Sequence, residues 1–527
     1  MTPTSLFLAL FFTVASSGLY SDAGKASMDT IVCHADSIPV RMMSRAASDN
    51  TFSPLLTLDE VTALPSPDVA AMTRHIDEGI DYSTGTGGLS IPLYSWSSGD
   101  LQLSIGLQYR LGAYKVKERA GWVGLGWNLT GGGCVTREIV GLPDEKNDTP
   151  IRSDAQIRAD GNGHLYLQEV EEFKADSDLD RYRYSCPGAE GSFVIKSGKI
   201  VQTPETDNII EFHGTERDGV KDFMVTTPDG TRYYFTEREK LSFRMETSRA
   251  TLTMKEFLSY QDAVSAWHLS KIESPGGSDI ATYSYATLPS WHKEEKIWGK
   301  SVSVTWSESL EVGYPKVTSS ASGTPISKTR TTFSGQKLLK GIATRTARIE
   351  FIAKTESTPS ANDTLGMLSG IKVHNMDGKC VRDISFRMSW TKGSSHMLDG
   401  LEIRSDGDVL DSHDFSYIGD KGDGEDFFGY CNGSSEKRTV IDSETGRVSS
   451  AIASDSTKML SRAMWRHRTG MGLTTIYEYE PSSVEQSDNG KEYDFAIGLR
   501  IRRITSRDTV SGRTRIREFT YQSPGCD

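Results

Sequence analysis

Residues 120–145, AGWVGLGWNLTGGGCVTREIVGLPDE, set two tryptophans among glycines at a spacing that phosphate-binding loops also use. A dinucleotide fingerprint needs G-x-G-x-x-G between a strand and a helix, whose N-terminal N–H groups and dipole hold the pyrophosphate. After Gly124 and Gly126 the third position is Leu129, and the alternating run from Cys134 to Val140 follows in place of a helix. No Gly-Lys-Ser/Thr occurs in the stretch either, so the nucleotide reading fails. The glycines are read as permitting positive φ and close backbone approach, with Trp122 and Trp127 packed into a β wall. Were the two rings exposed, they would make a sugar-stacking platform.

Other candidate groups point to no reaction. Asp176, Asp178 and Asp180 open like a calcium loop, but position 6 is Arg181 and position 12 is Pro187, which excludes an EF-hand. The loop GDKGDGEDFFG gathers Asp420, Asp423, Glu425 and Asp426. It reads as a solvated acidic turn, with a structural calcium ion as the alternative. The ten histidines are scattered without H-E-x-x-H, and His268, in an aromatic strand, reads as packed rather than ligating. There is no G-x-S-x-G elbow, and a triad assembled only in space leaves no trace in chain order. Carboxylate pairs for glycoside hydrolysis offer no fixed spacing to test among 71 acidic residues. Arg500, Arg502, Arg503, Arg507, Arg513, Arg515 and Arg517 form a basic cluster, read as a solvated strand face or as a surface for a downstream chain or acidic partner. The expectation is a non-enzyme with no catalytic, cofactor-binding or metal residue.

The elements around these groups are β. LSIPLYSW and LQLSIGLQYR alternate with period two about Ser98-Gly99-Asp100, a hairpin pattern. FVIKSGKIVQT turns about Ser197-Gly198, FMVTTPDGTRYYF about Pro228-Asp229-Gly230, and IKVHNMDGKCVRDISFRMSW about Met376-Asp377-Gly378. A helical period is best sustained over residues 252–260, and briefly. One or two short N-terminal helices are expected as well. One rests on a Thr57/Glu60 capping box, and the other covers residues 67–77 behind Ser66-Pro67-Asp68. A weak repeat appears: an apolar strand, a glycine turn, then aromatic-x-Tyr with both rings on one face. It ends at Tyr283-Ser284-Tyr285, Phe415-Ser416-Tyr417, Tyr477-Glu478-Tyr479 and Phe519-Thr520-Tyr521. One such hairpin cannot bury its own aromatic face, so neighbours must stack.

The 527 residues carry a net charge of −12, which argues against a nucleic-acid binder. The apolar run from Leu6 to Ala15, with small residues at Ala15 and Ser17, reads as a signal peptide over residues 1–17. Its n-region lacks Lys and Arg, and a buried N-terminal strand is the alternative. No other apolar run approaches the ~20 residues of a membrane-spanning helix. Cys33, Cys134, Cys186, Cys380, Cys431 and Cys526 contain no CxxC pair, which excludes the usual zinc spacings. They are compatible with one or two disulfides after export and equally with six free thiols.

Together the opening stretch and the hairpins resemble the N-terminal region of RHS/YD-repeat proteins, especially the large exported ones of the Bacteroidota. They are similar also to the SpvB-like N-terminal block of toxin-complex shells. The resemblance starts at SPDVAAMTRHIDEGIDYSTGTGGLSIPLY and runs through LQLSIGLQY and WVGLGWNL at 122–129 to Gly132-Gly133, Thr136-Arg137 and GLPDE at 141–145. It continues in AWHLSKIESP, DFFGYCNG at 426–433, GMGLTTIYEYEP and GLRIRRI. Its signature positions in this chain are Trp122, Gly124, Gly126, Trp127, Gly132, Gly133, Arg137 and Gly429. Cys431 stands where an aromatic ring is common, and no catalytic residue carries over, because the family's self-cleavage and toxin chemistry lie outside this stretch.

The resemblance implies an all-β architecture of stacked antiparallel hairpins, a partial RHS-like shell. The expected organisation is a signal peptide at 1–17, a leader or linker at 18–60, an N-terminal block at 61–145, a β-hairpin region at 146–435, and YD-like hairpins at 436–527 truncated before the RHS repeats. The implied role is structural, with the shell enclosing or presenting a C-terminal effector at the cell surface, in the periplasm or outside the cell. A downstream RHS chain or the effector would be the partner. A surface-binding module for carbohydrate or protein is the competing class.

Overall fold

Turn residues fix hairpin register in the computed structural model. It describes residues 29–34, 62–66, 79–81, 84–215, 217–248, 254–305, 316–357, 364–391, 395–422, 424–426, 428–433, 439–441, 448–450, 454–488 and 491–521. Gly87–Ser98 runs antiparallel to Leu101–Leu111 with Ser98 opposite Leu101, so the turn expected about Ser98-Gly99-Asp100 tightens to the two residues Gly99-Asp100. Lys196 opposite Lys199 closes the second hairpin about Ser197 and Gly198, both at positive φ. Thr226 opposite Arg232 closes the third. There Asp229 accepts from Thr227 Oγ1 at 2.5 Å and from the Thr231 N–H at 3.2 Å. His374 opposite Cys380 closes the fourth.

The architecture is all-β. Among the described residues, 23 strands form one hydrogen-bonded network. A four-stranded sheet and the pair Thr439–Ile441 with Val448–Ser450 complete it. An open sheet beyond ~10 strands must curl, split or flatten, and here long strands change partner along their length. Arg232–Ser248 pairs with Gly219–Thr226 at its start, with Met254–Glu273 throughout, and with Lys316–Ser334 along its second half. Cys134–Val140 joins Arg181–Cys186 on one side to Met254–Glu273 on the other. One contiguous buried cluster runs from Ile91 to Ile504, so the first hairpin and the last ones share a core.

Several local expectations change. Residues 254–260, read as a helical stretch, belong to the strand Met254–Glu273. Leu258 and Tyr260 are buried and Ser259 is exposed, so cross-strand pairing with Phe243–Met245 overrides the local period. The region expected to be hairpins from 146 onward opens with two helices, Asp154–Ala159 and Gly163–Glu171. Ser153 and Gln156 form a capping box on the first, a signal the sequence itself carries. Segment 18–60 contains the strand Asp29–His34, paired with residues 299–304. The signal peptide, the Thr57/Glu60 box and the 67–77 helix lie outside the described residues. Among the described residues no helix is long and apolar enough to cross a membrane.

Candidate functional site

The signature residues converge on a corner. Trp127–Thr130 folds back on Leu101–Leu111, with Tyr109 opposite Trp127, so residues 112–126 form a tight excursion between the two strands. Gly126 takes φ +78°, and a Cβ there would sit 2.1 Å from Tyr114 Oη. Gly124 backs onto the Leu398 amide and Gly133 onto the Ser185 carbonyl, and Gly132 is half-buried in the connection between Trp127–Thr130 and Cys134–Val140. Trp122 and Trp127 are 9% and 2% exposed, so neither offers the open face a sugar-stacking platform requires. The Trp127 ring lies 4.7 Å from Phe415 and 4.9 Å from Tyr109, centroid to centroid. Its Nε1–H donates to Tyr417 Oη at 2.9 Å, and Tyr417 Oη donates onward to the Leu398 carbonyl at 2.7 Å. The Trp122 carbonyl accepts from Leu368 N–H at 2.8 Å, and the Leu125 N–H donates to the His396 carbonyl at 2.9 Å. The corner therefore plugs into strands almost 300 residues downstream in the chain. His396 is fully buried there, and desolvation pushes its imidazole down to about 4.

Arg137 anchors the corner's exit strand. It is 1% exposed. Its Nε donates to Asp180 Oδ2 at 2.8 Å, and its Nη atoms donate to Glu145. Asp180 also accepts from the Val140 and Asp144 amides. Asp176 accepts from the Leu142 amide at 3.0 Å, while Asp178 is exposed. The three aspartates with calcium-loop spacing are thus not gathered about a cation; two clamp backbone and arginine and one faces water. Burial, reinforced by the nearby Asp180 charge, raises the Asp144 carboxyl to about 8. Burial raises Asp176 to about 6. Burial opposes ionisation of Glu145 as well, but its salt bridge to Arg137 wins and holds the carboxyl low.

The second acidic loop is likewise spent on turn geometry. Asp426 Oδ1 accepts from the Phe428 and Tyr430 amides at 2.9 and 2.8 Å, which shapes the turn that carries Gly429 at φ +84°. The Gly429 carbonyl in turn accepts from Val116 N–H, tying this turn to the corner. Glu425 pairs with Lys117, and Asp420 accepts from Ser461 Oγ. Asp423 lies outside the described residues. Among those residues no three His, Cys, Asp or Glu side chains stand where they could share a metal. Cys134, Cys186, Cys380 and Cys431 are not disulfide-bonded.

One Ser, one carboxylate and one His do meet, at Ser66, Glu239 and His268. Ser66 Oγ donates to Glu239 Oε2 at 2.9 Å, and His268 Nε2 lies 2.8 Å from Glu239 Oε1. The carboxylate sits in the middle, so the imidazole cannot take the serine proton as a hydrolytic triad requires. Lys337 N–H donates to the same Glu239 oxygen as His268, and all three side chains are buried, which makes the cluster a strut. His268 is packed, as its aromatic strand suggested. A second histidine contact, missed in the sequence, pairs His413 Nδ1 with His467 Nε2 at 2.9 Å across neighbouring strands. Burial lowers both rings' affinity for a second proton.

The aromatic-x-Tyr units show a shared geometry. In each, the second tyrosine hydroxyl donates to a backbone carbonyl of an earlier strand. The pairs are Tyr285 to Leu269 at 2.6 Å, Tyr417 to Leu398 at 2.7 Å, Tyr479 to Met464 at 2.6 Å, and Tyr521 to Ile501 at 2.7 Å. Seven of the eight rings, all but Tyr521, belong to the main core or pack against it. The sequence displayed the rings but not the role of the hydroxyl; the one signal was that Tyr, never Phe, closes each unit.

No family model matches the chain, and no curated protein matches it. Among solved structures, the crystal structure of TcdB2-TccC3 is similar at TM-score 0.34 and 9% identity, over 91% of this chain and 23% of that one. The crystal structure of TcdB2-TccC3-TEV gives TM-score 0.30 and 11% identity, over 63% and 16%. The chain spans under a quarter of the length of either. Likeness at that level carries no argument about fold, which rests on the strand registers above.

Proposed function

We propose that this chain is a non-catalytic scaffold: the β wall of an exported RHS/YD-repeat-type assembly that encloses or presents an effector. The observation that carries this reading is the fourfold tyrosine stitch, in which each of four hairpins is closed by the same hydroxyl-to-carbonyl bond, from the tyrosine after its turn to its own first strand. Repetition of one fastening serves a wall that must extend, because each unit presents its neighbour with the same problem of a half-buried aromatic face. The groups that looked reactive support the same reading. Arg137, Asp180, Glu239, His268 and Asp426 each hold backbone or a buried partner. The competing surface-binding reading for carbohydrate loses the residues that carried it, since Trp122 and Trp127 are buried.

The test is assembly. The neighbouring reading frame is sequenced, and its product is co-expressed with the full chain. A YD-repeat product that co-elutes with the chain, with the effector segment resisting protease only in the complex, is the expected result. A neighbour without YD repeats, or an effector cleaved equally with and without the chain, overturns the proposal.

A further inference from the structure

The geometry points to the outer edge of Thr514–Glu518 as a strand-addition site whose occupant is a β-strand of another chain carrying carboxylates at every second position. The inference rests on the scaffold reading and names the chemistry of the partner. Thr514–Glu518 pairs on one side with Lys491–Asp508, Arg503 opposite Glu518 through Arg507 opposite Thr514, and pairs with no other described strand. All five of its residues are exposed. An edge of this kind presents alternate N–H and C=O groups to any strand that fits.

Side chains select which strand fits. Arg517 lies opposite Ile504 and Arg515 opposite Ser506. Ile504 in turn lies opposite Tyr477, and both are buried. The core-facing side of the sheet thus changes from apolar to basic at its last strand. By alternation Arg513, Arg515 and Arg517 stand in one row, and none has an ion-pair partner among the described residues. Of the arginines on the paired strand, Arg503 is engaged with Glu518 and Glu478, and Arg500 with Glu480. A row of three unengaged guanidinium groups at a spacing of two residues matches a strand with carboxylates at the same spacing. A second copy does not satisfy it. Antiparallel pairing about Ile516 would set Arg515 of one copy against Arg517 of the other, and like charges directly opposite are destabilising.

The test uses the full chain and a fluorescent peptide, Thr-Glu-Val-Glu-Val-Glu-Thr. Two controls accompany it: the same composition with its glutamates contiguous, and a version with lysine for glutamate. Fluorescence anisotropy at low and high ionic strength measures binding, and hydrogen exchange follows the Thr514–Glu518 amides. The alternating acidic peptide is expected to bind about tenfold more tightly than either control and to protect those amides. Arg515→Glu/Arg517→Glu is expected to reverse the preference toward the lysine peptide, and because both sites are exposed the fold survives the change. Equal binding of the contiguous-glutamate peptide without edge protection reduces the row to a nonspecific charge and overturns the inference. So does unchanged binding of the acidic peptide by the double variant. Failure of a folded chain to bind any peptide removes the acidic occupant alone, because co-elution with a YD-repeat chain decides the scaffold reading separately.

Discussion

Tyr417→Phe removes a single oxygen, and that oxygen joins the corner to the repeat. In the native chain it accepts from Trp127 Nε1 at 2.9 Å and donates to the Leu398 carbonyl at 2.7 Å. Phenylalanine keeps the ring, whose centroid lies 6.1 Å from that of Tyr109, so packing changes little. The Trp127 N–H is left buried without an acceptor, and the Leu398 carbonyl loses a donor. A buried polar group stripped of its partner costs about 1–3 kcal/mol, so the two together should cost about 2–6 kcal/mol. Tyr521→Phe is the internal control. It breaks one bond at a half-buried ring, to Ile501, for which about 0.5–1.5 kcal/mol is expected. Urea titration followed by tryptophan fluorescence gives both values from midpoints at constant slope. A cycle with Trp127→Phe isolates the indole contribution, because the second substitution removes the stranded N–H. Equal destabilisation by Tyr417→Phe and Tyr521→Phe, or no coupling in the cycle, would refute the view that the hydroxyl is a fastening rather than a by-product of ring burial.

Two further outcomes follow from the corner. Asp144 holds its proton up to about pH 8 in the fold, whereas the ordinary value is 3.8, so the native state binds the extra proton between those limits and stability falls as pH rises through that window. Asp144→Asn keeps an acceptor for the Asp180 amide and cannot ionise; thermal melts from acid to alkaline pH should show a shallower decline than wild type, and an identical slope would sink the assignment. Gly126 and Gly378 share φ +78°, but a Cβ meets Tyr114 at the first and nothing within 4 Å at the second. Alanine at 378 should therefore cost only the backbone strain, about 1–3 kcal/mol, and alanine at 126 clearly more; equal midpoints in urea would show that crowding at the corner is relieved without cost.

Local rules sufficed wherever the deciding interaction lies within a few residues. Period-two alternation and turn residues determined the class and the closure of all four hairpins, because a short turn and the pleat leave one register that keeps apolar side chains on one face. The absent third glycine and the strand after Gly133 excluded a phosphate loop on the same local grounds. The helical reading of 252–260 failed because a strand's state is decided by its partners, here Arg232–Ser248, which no window of that length contains. The capped helix at 154–159 was readable from Ser153 and Gln156, yet it is short and largely exposed and adds little to the apolar pattern. What Arg137, Trp127, His268 and the four closing tyrosines do depended wholly on tertiary structure. Their partners lie 43, 290, 29 and 15 to 20 residues away in the chain. A residue type announces that a donor or carboxylate will be buried. Which group satisfies it is a matter of distance in space, and chain order does not encode that distance.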